Sequence, residues 1–265
     1  MTTNTPTIKA FLDENESQFL SDQIEERIGS KVKMVHAKNS NEKWTITDPV
    51  ANPILALPLG DLPFEMPDGW VKAAILKRYE PGFSILFNDK DDGTSMIRRL
   101  QQPLKVFFEN DKVKDQCLAQ FPRWTRTTSE TNADAVITTT FNNKNDDPRP
   151  SFDFDPIELI PPPSSGIICL VTREKDKDSQ RWCKQLMDRN TVMCSNLERE
   201  IVQLQQNQLP DATLFVFSRK TDSGFETAFA LQYNDQWARS LETFSSTAGA
   251  AKMIWDNLAG QLKPM

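Results

Sequence analysis

Few residues in this chain could do chemistry, and most of them lie far apart. His36 is the single histidine in 265 residues. Any histidine general base, catalytic triad or multi-histidine metal cluster would rest on it alone. Its place in the apolar run 32–37, between Lys33 and Lys38, reads as a solvated strand position. Of the 9 glycines the closest pair, Gly60 and Gly69, is nine residues apart, so neither a P-loop nor a dinucleotide fingerprint can form. Cys117, Cys169, Cys183 and Cys194 show no C-x-x-C pairing and read as reduced, buried thiols.

Carboxylates offer one pair. In the peptide Phe152, Asp153, Phe154, Asp155, the two aspartates share a face if the chain is extended, and with Glu158 they could hold magnesium or manganese in a metal-dependent enzyme. The simpler expectation is that the phenylalanines dock and the aspartates keep the other face wet. No metal and no cofactor is therefore assigned, and the chain is expected to be non-catalytic. The turn at residues 88–93 is rich in Asn and Asp but fails as a calcium loop. With Gly93 in sixth place, Lys90 falls on a ligand position and Arg99 where a bidentate Glu is needed.

The remaining signal is distributed: aromatic residues recur beside basic ones. Lys77, Arg78 and Tyr79 precede Phe83; Arg98 and Arg99 precede Lys105; and Phe121 to Arg126 packs Arg123, Trp124 and Arg126 together. Single-strand binders use this mixture, because rings stack on bases while Lys and Arg neutralise phosphates. Tyr79, Trp124 and Phe83 are expected to stack, and Lys77, Arg78, Arg98, Arg99, Arg123 and Arg126 to meet phosphates of single-stranded DNA or RNA. A formal net charge of -6 does not oppose this, because local patches govern attraction. Residues 96–126 hold seven basic and three acidic groups, whereas residues 1–30 hold two and six. Such a composition suits an accessory protein of viral replication or transcription. The rival expectation is a structural protein of a viral or multiprotein particle.

The elements that must position these groups follow from periodicity. Ile8, Phe11, Leu12, Phe19, Leu20, Ile24 and Ile28 have helical spacing, which predicts an amphipathic helix over residues 6–28, capped by Thr5 and ended by Gly29. Short apolar runs predict strands at 32–37, 43–47, 71–77, 83–87, 104–108 and 134–141. Prolines 49, 53, 58, 63 and 67 predict an irregular crossing between them. Residues 148–165 hold six of the 17 prolines and read as a strap whose apolar groups cling to this chain or to a neighbouring copy. The last hundred residues read as strand, helix, strand, strand, helix: 166–172, 179–206, 212–218 and 225–233 joined by a hairpin turn, then a terminal helix over 237–262.

The fold class expected is α+β, with a helix and β-rich region 1–147, the strap or linker 148–165 and a smaller α+β unit 166–265 that serves self-association or protein contacts, the alternative being that all three pack as one globule. Hydrophobic residues make up 38 %, lean but enough for a core at this length. Residues 1–6 are polar, and no run approaches the roughly 18 apolar residues that cross a bilayer, so a cytoplasmic protein without a membrane segment is expected.

Overall fold

The computed structural model describes residues 6–29, 32–37, 44, 53–79, 81–88, 95–139, 147–234 and 236–262. The expected strand at 43–47 and the turn at 88–93 lie almost wholly outside them. The fold is α+β, with three sheets among the described residues.

The first sheet has the order β2-β1-β3-β10-β4, built from β1 (Thr7–Ala10), β2 (Lys33–His36), β3 (Ile54–Pro58), β4 (Trp70–Ile75) and β10 (Ile168–Arg173). The second has the order β7-β6-β8-β5-β9, from β5 (Phe83–Phe87), β6 (Lys105–Phe108), β7 (Thr125–Arg126), β8 (Ala135–Thr139) and β9 (Ser151–Phe154). The two sheets share one plan. In each, a central strand (β1 or β6) is flanked by parallel partners, the next strand (β10 or β5) runs antiparallel, and the edge strand (β4 or β9) pairs antiparallel with that one. The chain therefore passes between lobes twice, after β4 and after β9. A third sheet, β11 (Thr213–Thr221), β12 (Gly224–Tyr233) and β13 (Gln236–Phe244), is an antiparallel meander.

Six α-helices are named here: α1 (Glu14–Ile28), α2 (Met96–Leu100), α3 (Lys114–Gln120), α4 (Lys177–Cys183), α5 (Arg189–Gln208) and α6 (Ala250–Gln261). The first expected helix is shorter than its pattern. Residues 7–10 are strand, and the helix begins at Asp13, whose carboxylate accepts the Glu16 N–H while Glu16 accepts the Asp13 N–H. That reciprocal box satisfies two orphan donors and starts the helix beyond Pro6, while the expected cap, Thr5, lies outside the described residues. Gly29, at φ 69°, ends the helix in the left-handed region.

Other expectations are corrected in the same way. The proline-rich crossing contains β3, with Pro53 just before it and Pro58 at its last residue, positions where a missing N–H is tolerated. The helix expected over 179–206 is two, α4 and α5, because Asp188 caps the second by accepting the Thr191 N–H. Residues 237–244 belong to β13, so the terminal helix starts only at Ala250. Residues 166–173, expected to open a separate unit, run instead as β10 through the first sheet, between β3 and β4. The strap lies on its own chain: β9 pairs with β5, Leu159 and Ile160 are fully buried, and Gln116 bonds both the N–H and the carbonyl of Ile160.

Both inter-lobe crossings are tied to α5 and β11 by one buried carboxylate. Glu198, with a side chain 0 % exposed, accepts two bonds from Arg78 at 2.8 Å, one from the Ser164 N–H at 2.8 Å and one from the Ser218 N–H at 2.7 Å. Arg78 also donates to the Ser218 carbonyl at 2.7 Å. The crossings touch directly, the Tyr79 N–H bonding the Gly166 carbonyl at 3.0 Å. Gly166, at φ 71°, permits this approach, since a Cβ there would sit 2.5 Å from the Tyr79 carbonyl oxygen. Glu198→Ala leaves a buried guanidinium and two buried N–H groups unpaired, and should destabilise the fold by about 3–5 kcal/mol in urea denaturation. A loss under 1 kcal/mol would show that the cluster does not hold the crossings.

Candidate functional site

The nine expected ligand contacts are not brought together. Lys77, Arg78 and Tyr79 lie on the first crossing, and Phe83 opens β5 inside the core. Arg99, Arg123 and Trp124 gather at the C-terminal end of α2, with Arg98 and Arg126 exposed nearby in sequence. Two of the three rings are held by contacts within the chain. Trp124 is 4 % exposed, stacks on Phe121 at 4.1 Å and donates its indole N–H to the Leu100 carbonyl at 3.0 Å. The Tyr79 hydroxyl donates to Glu16 at 2.8 Å, and its ring packs edge-on against Phe19. Several cations are engaged as well. Arg78 is bound to Glu198, Arg99 lies buried over the Phe87 ring at 4.0 Å, Arg123 reaches the Gln101 carbonyl and Arg126 pairs with Asp111 at 3.0 Å. Lys77 and Arg98 are exposed. Trp124→Ala should cost about 3–5 kcal/mol of stability in chemical denaturation, the loss typical of a buried aromatic core residue. A stable Trp124→Ala variant would contradict this placement.

Asp153 and Asp155 do not form a metal pair. Asp153 accepts the Ser84 hydroxyl, while Asp155 pairs with Arg219 at 3.2 Å and accepts the Ile157 N–H. Among the described residues no group of three or more His, Cys, Asp or Glu is placed to hold a metal ion.

What the fold does assemble is a cleft. The carboxyl ends of parallel strands β1 and β3 in one lobe, and of β6 and β8 in the other, open onto one cavity of about 510 Å³. Its lining follows directly from those ends: Asp13 and Glu16 after β1, Gly60 and Asp61 after β3, Asn110 after β6, and Thr139 at the end of β8. The two crossings close it with Tyr79, Pro81 and Gly82 on one side and residues 161–166 on the other. In open α/β sheets ligands bind in this position, outside the carboxyl ends of the strands.

The cleft has one sign of charge. Among the described residues its lining includes the carboxylates of Asp13, Glu16 and Asp61 and no Lys, Arg or His. Burial raises the Glu16 carboxyl above its ordinary value of 4.5, and the charges of Asp13 and Asp61 add to this, while the Tyr79 hydrogen bond acts in the opposite sense. Burial likewise pushes the Tyr79 hydroxyl far above its usual range, so it stays a neutral donor. A raised folded-state carboxyl contributes stability below its unfolded value, and that contribution is lost as pH rises through the folded value. Stability of Glu16→Gln relative to the parent should therefore increase with pH from 4.5 upward, as measured by urea denaturation across that window. A flat difference would remove the inferred shift.

None of Asp13, Glu16, Asp61, Asn110 or Thr139 stood out in the sequence. The available signal was weak: Asp13 and Glu16 form the box that starts α1, and Asp61 and Asn110 are early polar residues beyond apolar runs.

No family model matches the chain, and no curated protein matches its sequence. Solved structures resemble it in outline. The substrate binding domain of a putative molybdenum ABC transporter from Clostridium difficile has a TM-score of 0.44 at 12 % identity, covering 71 % of this chain and 93 % of that one. The VFT2 domain of BvgS from Bordetella pertussis has 0.35 at 13 %, covering 76 % and 92 %. An ancestral cationic amino acid solute binding protein has 0.37 at 14 %, covering 76 % and 91 %. The expectation of single-stranded nucleic acid as partner, and of a viral accessory or assembly role, is corrected by the way the chain packs. Phe83 and Trp124 are core residues, the half-buried Tyr79 ring packs on Phe19, and the strap that was to reach a neighbour is packed on its own chain.

Proposed function

We propose that the chain is a small-molecule receptor, binding a ligand with a cationic group in the cleft between its two five-stranded lobes. One observation carries this reading: the carboxyl ends of four parallel strands, two from each lobe, open onto a single cavity. A volume of about 510 Å³ falls within the range of small-molecule sites. The lining is suited to recognition. Asn110 offers an amide, Thr139, Ser164 and Ser165 offer hydroxyl groups, and residues 161–163 with Phe83 offer apolar surface.

Charge selects the ligand class. Three carboxylates without a basic counterpart favour an ammonium or guanidinium group and disfavour phosphates and carboxylates, by Coulomb attraction in a cleft whose walls exclude part of the solvent. The function is tested by thermal unfolding of the full chain with arginine, spermidine and choline as cationic probes and benzoate as an anionic one. At least one cation should raise the melting temperature, and Asp61→Asn should weaken its binding about tenfold, the loss of one charge-assisted contact. If no cation shifts the melting temperature, or if Asp61→Asn leaves the shift unchanged, the reading is wrong.

A further inference from the structure

The wall formed by Tyr79, Pro81 and Gly82 also bounds a second, larger cavity of about 660 Å³. This cavity is enclosed by the end of β9, the first turn of α5 and strand β11, so three parts of the fold meet there. It differs from the cleft in sign and in what remains unpaired. Each carboxylate lining it is already engaged. Asp155 pairs with Arg219 at 3.2 Å, Asp188 pairs with Arg27 at 3.3 Å and caps α5, and Asp153 accepts the Ser84 hydroxyl. Two of its cations have no such partner. Lys77 and Lys220 are exposed, and among the described residues no carboxylate lies within ion-pair distance of either. The Lys220 ammonium reaches only the Gly224 carbonyl, at 3.1 Å, and the Phe225 ring.

We propose that this second cavity is a separate site for a small organic anion. Its carboxylate or phosphate group meets Lys77 and Lys220, and its apolar part lies against Tyr79 and Pro156, the half-buried rings of the lining. Ring surface beside two ammonium groups suits an aryl carboxylate or aryl phosphate better than a bare inorganic ion, because the apolar body adds buried area to the charge contact. The site does no covalent chemistry through Cys194, which also lines it. Burial pushes that thiol up to about 12, so it remains protonated at neutral pH.

The proposal is independent of the cleft reading, and its test keeps the two apart. Phenyl phosphate, benzoate and inorganic phosphate are titrated calorimetrically into the full chain at low salt, alongside Lys77→Gln, Lys220→Gln, the double variant and Asp61→Asn. Both lysines are exposed, so the variants should melt as the parent does. Phenyl phosphate should bind more tightly than inorganic phosphate, weaken about tenfold with each lysine replaced, and be unaffected by Asp61→Asn. Three results would overturn the proposal: no binding of phenyl phosphate in the millimolar range, equal binding by the double variant, or no preference for the aryl ester over inorganic phosphate. The last two would mean adsorption to surface charge.

Discussion

A carboxylate with no exposed surface has to be compensated by groups that the chain brings to it, because desolvating one ion costs several kcal/mol. Glu198 meets that requirement with donors from three distant places. Arg78 comes from the first crossing between lobes, the Ser164 N–H from the second, and the Ser218 N–H from the outer edge of β11. The partners span residues 78 to 218, so the compensation exists only when both crossings and the third sheet are in place together. The same contacts dispose of an edge-strand liability, since both the N–H and the carbonyl of Ser218 are bonded by side chains. Replacing the whole cluster with apolar groups could yield equal stability. What such a replacement would lose is direction: hydrogen bonds of about 2.8 Å fix where the crossings lie, and the cleft lies directly above them.

The cost of this arrangement is visible at Arg78. Its Nε is buried with no acceptor among the described residues, while its other nitrogens bond Glu198 and Ser218 and its guanidinium lies 5.0 Å from the Phe217 ring. An unmet donor costs about 1–3 kcal/mol, and the charged bonds made by the rest of the group offset it. Arg78 also lines the second cavity next to the shared wall residue Tyr79, its backbone N–H held by the Thr191 hydroxyl at 3.1 Å. The wall is therefore fixed by polar contacts from the side opposite the cleft. A ligand in the cleft meets a preorganised surface, and less of its interaction energy goes into ordering the crossings.

Local structure was legible in the sequence where a single element settles it. Strands β2, β4, β5, β6, β8, β10, β11 and β12, the helix before Gly29 and the hairpin at residues 221–224 all follow from periodicity and turn chemistry. Boundaries shifted where two patterns overlap. Trp237, Leu241 and Phe244 fit a helical face, but Trp237, Arg239 and Leu241 also alternate, and pairing with β12 decided for the strand. The doubling of the lobes left no repeat to detect, because the first sheet draws a strand from beyond both crossings while the second is built from consecutive strands: β10 follows β9 in the chain yet sits between β3 and β4. The cleft was illegible for the same reason. Asp13, Asp61, Asn110 and Thr139 are unremarkable one by one, and only topology brings four strand ends to one place.

The aromatic and basic residues misled because the interaction they advertise is real but is completed within the chain. Arg99 lies over Phe87 at 4.0 Å, Arg173 over Trp70 at 3.9 Å and Arg199 over Phe64 at 4.6 Å. A ring whose face carries a guanidinium cannot also stack on a base, and a guanidinium bonded to backbone carbonyls, as Arg199 is to Leu59, Leu62 and Pro63, has fewer donors left for a phosphate. Adjacency in sequence reports which groups can interact, not which remain unsatisfied after folding. A binding residue is one whose complement of partners is incomplete at a concave surface. In this fold that condition selects the carboxylates above the crossings and the two lysines below them, and it passes over Trp124, whose ring and N–H are both fully occupied.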